Sequence, residues 1–392
     1  MEISKQVKAL TEELIQLRRD FHKHPELGFE EFRTSEKASG YLRQCGLEVK
    51  RMAKTGVVGL LRGKESGPTL LLRADMDALP IHEENDIPYR SVYEGKMHAC
   101  GHDGHMAMLL VAAKILCRYE NQLKGNIKFV FEPNEENVGA VPMIEEGLLE
   151  EPRVDACLGL HLWPLLNTGK LAITAGPMMA GMDHFELTIM GRGGHTAAPQ
   201  SAVDPILTAA DLIQSVQIIQ TREIDVLKPT IIMFGKIQGG VASNVIPDKV
   251  TLAGTMRYLY AVDENTEEDP RDRFERIVAG ICRLHRSRYE LSFPYRHPTL
   301  INDPTMADLV RSIAEKVLGG EHNIVSLGSM VGEDFSEFAA RVPGAFYLVG
   351  AGHHEKMNDS PLHHPQFNID EDALKIGVEM HVRTALRFLD MP

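Results

Sequence analysis

The stretch Met97-His98-Ala99-Cys100-Gly101-His102-Asp103-Gly104-His105 gathers imidazoles, a thiol and a carboxylate just ahead of the apolar run Met106–Ala113. A helix about to be buried has no packing reason to carry such a cluster at its mouth. Thiolate and imidazole together are the donors that a divalent transition metal prefers. Cys100 and His102 are two apart, a spacing that points both side chains the same way on an extended loop and splays them on a helix. A thiolate has several lone pairs, so Cys100 could bridge two ions. The plainer reading, a buried free cysteine beside an exposed histidine, loses ground to the company of His98, Asp103 and His105.

Glu135-Glu136 is a second candidate. Adjacent side chains diverge, so one carboxylate can bind a metal while the other handles the proton of an activated water. His161 interrupts an apolar strand end, and His363 is a late ligand candidate; His353, His354 and His364 read mostly as solvated loop residues. Farther along, Gly193-Gly194-His195 places an imidazole on a glycine-rich turn, where the backbone can approach another surface closely. Asn244, on a second such turn, and Arg257, at a strand end, together suit a carboxylate, because an arginine can bind both of its oxygens.

The elements that must position these groups alternate. Helical spacing covers Leu10–Arg19, Ser35–Cys45 and Met106–Tyr119, with strand-length apolar runs at Val57–Leu61, Leu70–Leu72, Ile127–Phe131 and Ala156–Leu160. Strands buried on both faces and separated by helices predict an α/β domain, its largely parallel sheet covered by helices on both faces. Three of the strands run out into Asp75 and Asp77, into Glu135-Glu136, and into His161. Sites in open α/β sheets form at such carboxyl ends. Near residue 182 the pattern changes to β-α-β-β-α-β, the ferredoxin-like α+β order. The expected organisation is a discontinuous metal-binding catalytic domain, 1–181 and 296–392, with a lid domain at 182–295 inserted in it.

Bulk properties narrow the function. The chain has 392 residues, 43% of them apolar and 25% charged, and a net charge of -13. Nucleic acid is an unsuitable partner for such an acidic chain, since phosphate binding needs a concentrated basic surface. Cysteines at 45, 100, 117, 157 and 282 are odd in number and scattered, which favours a reducing compartment over a disulfide framework. No apolar run reaches the length of a membrane span and the N-terminus lacks a signal-peptide core, so the cytoplasm is the expected location.

Taken together, the motifs resemble the aminoacylase/carboxypeptidase family of two-metal hydrolases, in its hippurate hydrolase, N-acyl-amino-acid amidohydrolase and indoleacetyl-amino-acid hydrolase branch. The resemblance runs from Arg18–Glu31 through Arg73–Pro80, Met97–His105, Glu135-Glu136, Gly194-His195, Ser243–Pro247 and Gly332–Phe335 to Leu362-His363. It implies two divalent ions (zinc, manganese, cobalt or nickel) held by Cys100, His102, Glu136, His161 and His363, with Cys100 bridging and Glu135 as general base and acid. Asp75 and Asp77 would orient the ligands, His195 would stabilise the oxyanion, and Asn244 and Arg257 would hold the substrate's free carboxylate. The implied substrate is a small N-acyl amino acid, cleaved to a carboxylic acid and an amino acid. Relatives also imply lid closure and a homodimer through the lid, in which the histidine can come from a partner subunit. The family usually reads Gln-Pro before the acidic pair, whereas this chain has Glu132-Pro133-Asn134, a change expected in the surroundings of Glu135. Rival readings are a Cys100 thiol nucleophile, a catalytically silent metal-binding relative, and a dipeptidase or aminopeptidase.

Overall fold

A computed structural model describes residues 3–262, 268–352 and 360–390, so His353 and His354 lie outside the described residues. The chain divides into two compact units. The first comprises Met1–Met178, Leu300–Leu327 and Glu333–Pro392; the second comprises Met179–Thr299 and Gly328–Gly332.

The first unit is built on an eight-stranded sheet in the order Glu48–Met52, Gly56–Arg62, Lys124–Glu132, Glu65–Asp75, Ala156–Asn167, Gly344–Gly352, Leu171–Ala172, Ile324–Val325. Its four central strands, Lys124–Glu132 through Gly344–Gly352, run parallel. Toward both margins, antiparallel pairs appear that the apolar runs did not announce. Every residue of Gly344–Gly352 is buried. Successive strand residues face opposite ways, so both faces of the sheet are covered. The long helices His102–Leu116, Pro304–Leu318 and Asp372–Leu389 supply much of that cover and share one apolar core with the strands.

All four strands expected from apolar runs are longer than those runs, two of them by seven residues or more. Leu70–Leu72 is the middle of Glu65–Asp75, and Ala156–Leu160 opens a strand that continues to Asn167. His161 therefore lies within a strand and not at its end, because Leu162 and Trp163 go on pairing with Val349 and Gly350. Asp75 and Glu132 stand side by side in register at the carboxyl ends of adjacent parallel strands.

The second unit carries a four-stranded antiparallel sheet in the order Thr230–Gly239, Lys249–Tyr258, Gly181–Met190, Arg288–His297. Helices Pro205–Ser215 and Pro270–Leu284 pack on it through a separate core that includes Phe185, Leu187, Ile189, Leu212 and Phe274. This is the ferredoxin-like arrangement. The short segment Gly328–Gly332, which the sequence alone placed in the catalytic domain, belongs here. Ala180 N–H donates to Val331 O at 3.0 Å, and Arg257 Nη1 donates to Met330 O at 3.0 Å. Among the described residues no helix is long and apolar enough to cross a membrane.

Candidate metal centre

Cys100 and His102 do not sit on an extended loop. Gly101 between them takes a left-handed conformation (φ 96°) and caps helix His102–Leu116, so His102 opens the helix and Cys100 lies just outside it. The helix N-terminus adds a favourable field for a thiolate. Cys100 Sγ is 3.4 Å from His161 Nε2. His363, also left-handed (φ 65°), donates its backbone N–H to Ala99 O at 2.8 Å, which tethers the late segment beside the cysteine. Its ring Nε2 is 3.0 Å from Glu136 Oε1.

Donor atoms converge here in overlapping sets. Those of Cys100, His102 and His161 lie within 4.8 Å of one another, as do those of Cys100, Glu136 and His363, and those of His102, Glu135 and Glu136. Cys100 belongs to two of these sets. The imidazoles are oriented for ligation, because each spends Nδ1 on a carbonyl and keeps Nε2 for the centre: His102 on Asp77 O at 2.8 Å, His161 on Leu162 O at 2.7 Å. Asp77 also takes the backbone N–H groups of Glu135 and Glu136 at 3.0 and 3.2 Å, which fixes the acidic pair. His102 Nε2 is buried with no hydrogen-bond partner among the described residues, and buried Glu136 Oε1 has only the ion-pair contact with the His363 ring. Buried polar atoms without partners are costly, and here a cation fits them.

The electrostatics agree. Burial alone would lower His102, but Asp75 and Asp77 outweigh it and lift the imidazole to about 10. The pocket favours positive charge at that point, which a proton or a metal ion can supply. Burial followed by Glu333, Glu136 and Asp334 pushes Glu135 well above the usual carboxylate range. Burial followed by Glu136 and Glu135 does the same to the Cys100 thiol. A bound dication would offset all of these at once. A bare Cys100 nucleophile fits poorly, since burial and the neighbouring Glu136 and Glu135 keep the thiol protonated.

Several residues of the motif are committed elsewhere. His105 donates Nδ1–H to Asp75 Oδ1 at 2.6 Å and accepts Leu162 N–H at Nε2 at 2.9 Å, so neither nitrogen is open to a metal. Asp75 gives its other oxygen to Arg73 Nη1 at 2.6 Å. Arg73, fully buried, also bonds Glu132 and Asp334 and lies 3.1 Å from Glu333. Asp334 N–H is directed at Glu135 Oε1 across 3.4 Å. Thus Glu333, Asp334 and, through them, Arg73 stand beside Glu135. Arg73 and Gly332-Glu333-Asp334 were visible as motifs, yet nothing in their spacing tied them to one another. Asp103, the remaining acid, pairs with buried Arg18 and His22, both at 2.8 Å.

In the second unit, His195 and Asn244 come together. Gly194-His195 pairs with Val245-Ile246, Thr196 N–H donates to Asn244 O at 3.2 Å, and both residues line a cavity of about 900 Å³. His195 Nδ1 accepts Ala197 N–H at 3.0 Å, so its proton is on Nε2, exposed as a donor. Arg257 lies outside the lining of this cavity and is engaged with Met330 O.

A family model, peptidase family M20/M25/M40, matches residues 71–387. The chain is 37% identical over 389 residues to thermostable carboxypeptidase 1 of Saccharolobus solfataricus, covering 97% of each. It is 35% identical over 387 residues to N-acetylcysteine deacetylase of Bacillus subtilis, covering 98% of each. Among solved structures, the Bacillus subtilis YXEP protein, a dinuclear metal-binding peptidase from the M20 family, superposes with a TM-score of 0.83. That match has 32% identity and covers 98% of this chain and 100% of the other. With a match spanning most of its length and relatives alike from end to end, the chain belongs to peptidase family M20/M25/M40, and it is a hydrolase acting on amide bonds.

Proposed function

We propose that the protein is a two-metal amidohydrolase that cleaves N-acyl amino acids to a carboxylic acid and a free amino acid. The observation that carries this is the sharing of Cys100 between two donor sets with Glu135 beside them. One ion would be held by Cys100, His102 and His161, the other by Cys100, Glu136 and His363. Thiolate and imidazole favour zinc, and the carboxylates admit manganese, cobalt or nickel. When bound, such ions lower the pKa of water toward neutrality and polarise a carbonyl.

The remaining work falls to the chain. Glu135, its basicity raised by burial and by Glu333, Glu136 and Asp334, takes a proton from water and returns it to the leaving amine. His195 presents Nε2–H to the substrate carbonyl oxygen as that atom gains charge. Asn244 and Arg257 hold the free carboxylate. Asp75 and Asp77 keep His105 and the acidic pair in place. The relative named N-acetylcysteine deacetylase supports an acyl amino acid as substrate, and the one named a carboxypeptidase keeps small peptides as the second reading.

Two further points belong to this reading. The strand Thr230–Gly239 is an edge of its sheet and exposes Ile231, Met233 and Ile237, which suits pairing with a second copy in a homodimer. The cytoplasm suits a chain whose five cysteines are all free.

Glu135→Gln tests the mechanism. The variant should keep the metal content of the wild type and lose turnover by about 100- to 10,000-fold. Full activity in that variant would overturn the assignment. A panel of acetyl, benzoyl and indoleacetyl amino acids alongside dipeptides, run with each metal, tests the substrate; cleavage of dipeptides alone would replace it with the peptidase reading.

A further inference from the structure

Two cysteines outside the metal centre stand together at the ends of two helices. Helix Phe32–Gln44 is followed by Cys45 and helix His102–Leu116 by Cys117, and both cysteines are half-buried against the main core. One turn earlier the two helices meet through Tyr41 and Lys114. The Lys114 ammonium lies 5.8 Å from the centre of the Tyr41 ring. Tyr41 donates its hydroxyl to Glu13 at 2.6 Å, and Lys114 donates to the same carboxylate at 2.7 and 2.9 Å. Residues three and four apart share a helix face. The meeting of Tyr41 with Lys114 therefore brings Cys45 and Cys117, a turn later, to the same side of the helix pair, where each thiol shifts the ionisation of the other. The other cysteines differ: Cys100 lines the metal centre, while Cys157 and Cys282 are buried in separate places, Cys282 with its thiol pushed up to about 11 by burial.

We propose that Cys45 and Cys117 are a reversible redox couple, which closes to an intramolecular disulfide by exchange with a low-molecular-weight disulfide and reopens with a thiol. Cys45 is the attacking group. The neighbouring Cys117, with the cations of Lys114 and Arg118, holds it below the ordinary thiol value even against its burial, whereas Cys45 and burial push Cys117 up. The Cys45 thiolate attacks one sulfur of the small disulfide, whose S–S bond breaks and releases one small thiolate, which is protonated. Cys117 then loses its proton and attacks the Cys45 sulfur of the mixed disulfide, expelling the second small thiol. Two protein thiols and one small disulfide become one protein disulfide and two small thiols, with two electrons passing from the protein. The link joins residues 45 and 117 around the segment that carries Cys100 and His102. Closing so long a loop restricts the unfolded chain and raises resistance to heat.

The test uses full-length protein reconstituted with zinc and incubated with oxidised or reduced glutathione. Oxidation should leave three alkylatable thiols of the original five under denaturing conditions. It should also yield a linked peptide pair containing Cys45 and Cys117, two hydrogens lighter than the separate peptides. The thermal midpoint should rise by several degrees, and reduced glutathione should reverse it. Cys45→Ser and Cys117→Ser should each fold as the reduced wild type does and show neither link nor rise. Five thiols remaining after oxidation, a stable glutathione adduct on Cys45 without the link, or a link to any other cysteine would overturn the proposal.

Discussion

Arg73 is a positive charge without water, facing Asp75, Glu132, Glu333 and Asp334. Removing one partner from a buried ionic cluster leaves the others uncompensated, so Arg73→Met is expected to cost about 3–5 kcal/mol of stability, read by denaturant unfolding. Glu31 gives a pH signature. It accepts Asn134 N–H at 2.9 Å and the Thr55 hydroxyl at 2.6 Å, and burial pushes it up to about 7. Between about pH 4.5 and 7 this carboxyl therefore holds a proton in the folded chain that it has released in the unfolded chain, and its contribution to stability falls as pH rises through that window. Glu31→Gln should flatten this part of the stability profile; an unchanged slope would remove Glu31 as its source. At this scale residue type pointed to Cys100, His102, Glu136, His161 and His363, whose donor atoms fall in overlapping groups of three. It could not separate His102 from His105. The difference lies in which ring nitrogen the backbone occupies, and that depends on Asp77 and Leu162, which are remote in sequence.

Helix His102–Leu116 shows how an element delivers chemistry. Its apolar spacing was plain, but the left-handed joint at Gly101 that turns Cys100 and His102 toward one point was not. A Cβ at Gly101 would meet only ordinary contacts, the nearest at 3.5 Å, so crowding is not the obstacle. Conformation is: Gly101→Ala should cost about 1–2 kcal/mol and weaken metal retention, measured by dialysis against a chelator. Strand ends were less legible than strand centres. Polar residues such as Asp75 read as loop because burial of a carboxylate requires a partner like Arg73, and partnership is not a local property. The same holds for His161, which the pattern treated as a stop although its strand runs on to Asn167.

At the scale of the whole molecule the alternation of elements anticipated both architectures, since the change from buried runs to half-exposed alternation is itself a signal of a second core. The assignment of Gly328–Gly332 to the second unit was invisible, because it rests on Arg257 and Ala180 reaching a distant segment. If two copies pair along Thr230–Gly239, Met233→Glu should convert dimer to monomer in light scattering with secondary structure unchanged; a monomeric wild type would remove that assembly. The central sheet carries a consequence for biosynthesis. Ala156–Asn167 receives its second neighbour only from Gly344–Gly352, almost 200 residues later. While a ribosome is still making the intervening chain, a largely apolar strand waits with one side open, exposed to other nascent chains and to chaperones. Successful production of this enzyme is thus decided in the last stretch of translation, when the missing strand emerges and closes the sheet.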